Sequence, residues 1–189
     1  MTIKSILKTA CLFLNKEDLC EKIDVEDFDT LSEEYKSQIN FLLKCLNLTY
    51  QEVASDYIPL LKKESVSFVD GEILLSSLSK KFLEVVSLRS KNGEKIKFKV
   101  YPDYIEANID KADIVYKYLP SNLTSLSSTI ETFANRVSEI TLAFGVAMEY
   151  RFINGLHDDA AVWERRFKDA LFIRSSKKNN IKLPVRRWF

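Results

Sequence analysis

Few residues of this 189-residue chain have the types and spacing that catalysis usually requires. The single histidine, His157, follows Gly155 at a predicted turn, and Glu149 and Arg151 lie just before it in an otherwise apolar stretch. A pocket that joined Glu149, Arg151 and His157 would favour an enzyme whose site is assembled from scattered residues. The simpler interpretation is that His157 is a polar turn residue and that the other two side chains pair with charges on neighbouring helices.

The familiar catalytic and ligand-binding motifs do not occur in the sequence. It contains no Gly-rich phosphate loop, HExxH or GxSxG string, and no Ser/His/Asp spacing. Asp158 and Asp159 stand at a predicted helix N-terminus, where capping and the helix dipole already account for carboxylates. Cys11, Cys20 and Cys45 have neither CxxC nor metal-ligand spacing, which favours reduced thiols in a reducing compartment. The sequence therefore predicts no catalytic residues, no cofactor and no metal.

The clearest structural pattern is a helical hairpin over residues 129–171. Apolar residues recur there at steps of three and four, and a second apolar stripe joins from Leu142. This pattern predicts a buried helix at the centre of a bundle. Gly155 can end that helix and Asp158 can cap the next one.

Two helices and a β region are predicted ahead of the hairpin. Residues 3–15 have one apolar helical face, and a capping box at Thr30 and Glu33 begins a long helix that Pro59 ends. The hydrophobic period then changes to that of strands, with Asn92-Gly93 as a hairpin turn. The predicted strands are residues 65–68, 72–75, 82–89, 95–101, 104–109 and 113–118.

These elements predict an α+β fold that is mainly α, in one domain over residues 1–173. The expected architecture is a bundle of about four helices with a small antiparallel sheet, at about residues 65–118, inserted between helices 2 and 3. Lys95, Lys97 and Lys99 alternate with apolar residues, which indicates a sheet with one wet face. The chain is 46% apolar and 29% charged, and no apolar run is long enough to cross a bilayer.

The net charge of +1 conceals a strong asymmetry between the two ends of the chain. Residues 1–34 carry four lysines against nine acids, a net charge of −5, whereas residues 165–189 carry nine basic residues against one acid, a net charge of +8. Residues 174–189 have the composition of an extended basic tail that ends in Trp188 and Phe189. This tail could fray, dock onto its own domain, or anchor in another subunit or partner.

Several short strings follow one another in an order that resembles a known family. They are Tyr118-Leu119-Pro120, Phe144-Gly-Val-Ala-Met-Glu-Tyr150, Asn154-Gly155-Leu156, Ala160-Ala161-Val162-Trp163, Arg166-Phe-Lys-Asp-Ala170 and Arg186-Arg187-Trp188. Over roughly residues 30–189 the chain resembles the head-to-tail adaptor (connector) proteins of tailed bacteriophages. The acidic N-terminal region lies outside this resemblance.

The resemblance implies a structural virion protein and not an enzyme. Such proteins are helical bundles with an inserted β element and a long C-terminal tail. They form a ring, of about twelve copies in this family, beneath the portal protein. The ring extends the channel through which DNA leaves the capsid and joins the portal to a downstream tail or nozzle protein.

The resemblance implies a location in the neck of the virion, after synthesis in the host cytoplasm. DNA would pass through the lumen without any reading of its sequence, and no membrane would be involved. The resemblance also implies that the tail runs along the portal subunits. The expected portal-binding residues are Ile181, Leu183, Val185, Arg186, Arg187, Trp188 and Phe189.

A second function remains open on the residues alone. The basic C-terminus could belong to a nucleic-acid-binding regulatory protein, and this would be favoured if the positive residues lined one groove or a recognition helix.

Overall fold

The computed structural model of the chain describes residues 1–25, 28–131, 133 and 136–175. Its five α-helices within these residues are α1 (Ile3–Phe13), α2 (Glu17–Ile23), α3 (Glu33–Glu52), α4 (Glu139–Ile153) and α5 (His157–Ser175). Its six strands there are β1 (Leu60–Ser67), β2 (Glu72–Leu74), β3 (Lys81–Arg89), β4 (Lys99–Val100), β5 (Tyr104–Glu106) and β6 (Lys111–Leu119). The predicted α+β class is therefore confirmed, and all six strands lie between α3 and α4 in the chain.

The N-terminal helices form where the apolar spacing predicts them. Thr2 caps α1 by accepting a hydrogen bond from the Ser5 amide at 3.2 Å, and the apolar face of α1 is buried. The acidic stretch that follows contains α2, whose Leu19 and Ile23 are buried. Both helices contribute their apolar side chains to the same core as α3 and α4.

The long helix α3 begins later than the predicted capping box. Thr30 lies in a short 3-10 turn, Phe28–Thr30, and Ser32 is the N-cap residue without a side-chain capping bond. Glu33 and Glu34 instead place negative charge in the first turn, where the helix dipole favours it. The helix ends as predicted before Pro59, through one π-helical turn at Val53–Tyr57.

The β region forms two small antiparallel sheets, where one had been predicted. The first has strand order β1-β6-β3 and the second has the order β2-β5-β4. β1 begins at Leu60, five residues before the predicted strand. The predicted strand at residues 95–101 is mostly wrong, because only β4 and a single bridge between Arg89 and Lys95 form there. The turn before it is confirmed, with Gly93 at a φ of 86°.

The central helix α4 is shorter than predicted. It begins at Glu139, with Ser138 as its N-cap, and not near residue 129. Ile130, Phe133 and Val137 are buried although none of these three residues lies in a helix. Their spacing of three and four residues therefore reflects burial in the core and not the turns of a helix.

The predicted hairpin of α4 and α5 is present. α4 packs against α1, α3 and α5, with Leu142, Ala143, Val146 and Ala147 fully buried. It ends at Asn154, and Gly155 has a φ of 76°. α5 then begins at His157, so Asp158 lies in its first turn and does not cap it as predicted.

No helix among the described residues is both long enough and apolar enough to cross a membrane.

Candidate functional site: an acidic cleft at the α4–α5 hairpin

An open cleft of about 360 Å³ lies between the end of α3, the second half of α4 and the first half of α5. We refer to it as the acidic cleft. Side chains spaced three and four residues apart lie on one face of a helix, so α5 contributes four residues to the lining of the cleft and α4 contributes three. The lining residues are Glu52, Met148, Glu149, Phe152, His157, Ala160, Ala161 and Glu164.

Glu149 and Glu52 are half-buried carboxylates that repel each other across this cleft. Burial raises the pKa of Glu149. Burial also raises the pKa of Glu52, and the charges of Glu149 and Asp56 raise it further. Within the described part of the chain, the Glu149 carboxylate has neither a hydrogen bond nor an ion pair, so its predicted pairing with a neighbouring helix is not found.

Arg151 lies outside the cleft and forms the pair that the sequence predicted for it. Its Nη1 is 3.8 Å from Oδ2 of Asp159 on α5. Its Nε is buried and has no hydrogen-bond partner among the described residues. The cleft therefore brings Glu149 and His157 together without Arg151, so it is not the three-residue pocket that would have favoured an enzyme.

His157 is exposed at the rim of the cleft. Its ring meets the edge of Phe152, with the ring centroids 5.2 Å apart. Phe152 is itself 59% exposed and adds apolar surface beside the carboxylates. Two half-buried carboxylates next to apolar carbon suit a lysine or arginine side chain, whose stem is apolar and whose head is charged. Among the described residues, no group of three or more His, Cys, Asp or Glu could hold a metal ion.

A second polar cluster, the Glu131 network, joins the β region to the helices. Lys80 Nζ lies 2.7 Å from Glu131 Oε1, and the Tyr118 hydroxyl donates to the other carboxylate oxygen. Tyr50 of α3 donates to the Glu131 backbone carbonyl at 3.0 Å. Burial alone would raise the pKa of Glu131, but these hydrogen bonds and the charges of Lys80 and Lys62 hold that pKa below its usual value.

Glu64 extends the polar contacts along the same face of the sheet. It accepts hydrogen bonds from the Tyr116 hydroxyl at 2.9 Å and from Ser79 Oγ at 2.6 Å. Sequence reasoning missed both carboxylates, because their partners lie at least 13 residues away along the chain. The one available signal was the i, i+2 spacing of Tyr116 and Tyr118, which puts two hydroxyls on one face of a strand.

The remaining predicted residues are buried, exposed, or outside the described part of the chain. Cys11 and Cys45 are buried, and burial raises the pKa of each thiol to about 12, consistent with their use as small apolar residues. Lys95, Lys97 and Lys99 are exposed, as expected of a wet face. The predicted portal-binding residues, from Ile181 to Phe189, lie outside the described residues.

No family model matches the chain, and no curated protein matches it.

Proposed function

We propose that the chain is a structural virion protein, a head-to-tail adaptor that assembles as a ring beneath the portal of a tailed bacteriophage. The observation that carries this proposal is the order of the elements. Helices α1–α3, a β region between α3 and α4, a helical hairpin and a basic C-terminal segment follow one another as the resemblance implies. In this role the ring extends the DNA channel and joins the portal to a downstream tail or nozzle protein.

Exposed apolar residues at the tip of the hairpin support a role in assembly. Phe152, Ile153 and Leu156 are all exposed, although each is a large apolar side chain. Apolar residues that cluster on a surface commonly mark an interface with another protein. In a ring, each subunit presents two different surfaces to its two neighbours, so such a cluster has a natural use.

The basic segment is the proposed anchor to the portal. Fixing an extended segment costs roughly 1–2 kcal/mol of backbone entropy per residue, and each buried aromatic side chain returns only about 2–3 kcal/mol. Trp188 and Phe189 therefore need help from Ile181, Leu183 and Val185, and from backbone hydrogen bonds such as those of an added strand. Arg186 and Arg187 would pair with acidic or carbonyl groups of the portal.

Deletion of residues 176–189 tests the anchor while leaving α5 intact. We expect the truncated protein to fold, because every core residue in the described part of the chain is retained. It should no longer attach to portal-bearing heads in electron micrographs.

A double variant, W188A/F189A, should reproduce this loss, and K177Q/K178Q provides a matched control at the start of the segment. Attachment of the truncated protein at the full-length level would show that the segment is not the anchor. If no ring formed with or without the portal in a mass measurement, the adaptor proposal itself would fail. DNA binding that is selective for sequence at high salt would point instead to a regulatory protein.

A further inference from the structure

The acidic cleft has the features of a binding site for a cationic peptide segment. Glu149 has no partner of opposite charge among the described residues, and Glu52 has the like charges of Glu149 and Asp56 nearby. The Tyr57 hydroxyl donates a hydrogen bond to the Glu52 carboxylate. Lys168 attracts the same carboxylate, but the Lys168 ammonium group is hydrogen-bonded to Glu164 Oε1 at 2.5 Å. A further cation between Glu52 and Glu149 would therefore relieve an unfavourable pair of charges.

The chain carries a segment of complementary chemistry. Residues 176–189 contain Lys177, Lys178, Lys182, Arg186 and Arg187 and no acid. Ile181, Leu183 and Val185 alternate with other residues, so an extended backbone would put these apolar side chains on one side and Lys182 and Arg186 on the other. Apolar side chains can then pack on Met148 and Phe152 while the cations reach the carboxylates.

The length of the segment allows it to return to its own cleft. Glu164 lies 11 residues before Ser175, the last residue of α5, which is about 16 Å along a helix. Fourteen extended residues span up to about 46 Å, well beyond that distance. A tethered segment also has an effective concentration in the millimolar range, so it binds its own subunit before it binds another.

We infer that the acidic cleft is the docking site of the chain's own basic C-terminal segment, residues 176–189, in the free subunit. This inference does not depend on the adaptor role. In an assembly of the proposed kind, the segment leaves the cleft when it engages a portal.

Zero-length carbodiimide cross-linking of the full-length free protein tests the inference. The reagent joins a carboxylate to a lysine amine only where the two touch. We expect amide links from Glu52, Glu149 or Glu164 to Lys177, Lys178 or Lys182, identified by peptide mass mapping. Contacts such as Lys63–Asp113, at 3.0 Å, provide an internal positive control.

An equal mixture of unlabelled and nitrogen-15-labelled protein separates the possible occupants. Links found exclusively within one isotopic form indicate docking on the same subunit. Links that combine the two forms would show that a second copy fills the cleft, which would overturn the inference. The inference would also be overturned if Lys63 coupled to Asp113 without any link from the cleft. Links spread evenly over exposed acids elsewhere would overturn it as well.

Two variants test whether charge holds the segment in place. R186Q/R187Q removes cations that do not react with the reagent, and E149Q removes one carboxylate while Glu52 and Glu164 remain to report. Each should lower the yield at Glu52 by roughly two- to fivefold, since a partly exposed ion pair contributes modestly to binding. E94Q, at an exposed acid of the β region, is the matched control and should leave the yield unchanged. Unchanged yields in both test variants would rule out the cleft carboxylates as the binding groups.

Discussion

Gly145 of α4 lies directly against Thr49 of α3 and Phe167 of α5. A Cβ atom at Gly145 would be 2.2 Å from Thr49 Cγ2 and 3.1 Å from a ring carbon of Phe167. Thr49 is completely buried and branched at Cβ, so it cannot swing away. We therefore expect Gly145→Ala to lower the free energy of unfolding by roughly 1–3 kcal/mol, despite the better helix propensity of alanine. A urea titration measures the loss.

The matched variant for this test is Thr49→Ala. The Thr49 hydroxyl is buried without a hydrogen-bond partner among the described residues, so its removal should cost little. In the double variant the added methyl group occupies the space left by the threonine, and most of the stability should return. If the two losses simply added, the close contact would not be the cause.

Glu131 makes stability depend on pH. Its folded pKa is below the value of about 4.3 expected in the unfolded chain, so its contribution is present above that pH and is lost as the pH falls through the folded pKa. Glu131→Gln should therefore cost roughly 1–3 kcal/mol at pH 7 and less at an acidic pH, where the wild-type carboxylate begins to take up a proton. Thermal unfolding at the two pH values measures the difference. Glu94→Gln, at an exposed residue, is the control and should change stability by less than about 0.5 kcal/mol at either pH.

The candidate site was predictable from the sequence only in part. Glu149 stands out because it interrupts an apolar stretch, and His157 because it is the single histidine; both line the acidic cleft. Glu52 and Glu164 have no such signal, because a carboxylate near the end of a helix or on an amphipathic helix is ordinary. Only the crossing of three helices brings these carboxylates together, and a one-dimensional pattern does not contain that geometry.

Among the elements, α1, α4 and α5 meet through a stack of aromatic rings. The ring centroid of Phe13 is 5.1 Å from that of Phe144 and 4.9 Å from that of Trp163. The Arg166 guanidinium lies over the Trp163 ring, 4.9 Å from the ring centroid. Phe144 is only partly buried in this stack, although its helical spacing would place it in the core. Part of its surface thus stays in water.

Truncation of Phe144 measures what this stack contributes. Phe144→Ala should lower the free energy of unfolding by roughly 2–3 kcal/mol, below the 3–5 kcal/mol that full burial implies. The exposed Phe152 provides the comparison, and Phe152→Ala should change stability by less than about 0.5 kcal/mol. A loss at Phe144 as small as that at Phe152 would mean that the stack does not hold α1 to the hairpin.

The elements that were predicted correctly are those in which local pattern and burial agree. The single apolar face of α1 and the amphipathic stripe of α3 fix both helices, and Gly155 fixes the end of α4. Ile130 and Phe133 show the opposite case, since they have helical spacing but are buried by contacts with distant parts of the chain. The division of the strands into two sheets also depends on long-range pairing, which spacing does not encode.

At the scale of the whole molecule, the proposed ring function predicts that exposed lysines of the β region contact DNA through charge. Lys95, Lys97 and Lys99 are exposed and alternate with half-buried Ile96 and Phe98. Phosphate contacts carry no sequence information, so binding should be equal for unrelated DNA sequences and weaken steeply with salt. A triple change of these lysines to glutamine should reduce the slope of log affinity against log salt by up to about 3, if each contacts a phosphate.

Fluorescence anisotropy with two unrelated duplexes over a range of salt concentrations makes this measurement. Lys36, which is already paired with Glu33 at 2.9 Å on α3, gives a suitable control substitution. Selective binding to one duplex at high salt would contradict a contact through charge alone.

The Glu131 network also determines how the molecule responds to mechanical load. Its carboxylate is bonded to Lys80 and Tyr118 of the β region, while its backbone carbonyl is bonded to Tyr50 in the last turn of α3. Tension applied to the first sheet is therefore delivered sideways to a long helix, and not only along the chain. A pull in that direction must shear several short polar bonds at once, so the β region and α3 should yield together in a single event under force.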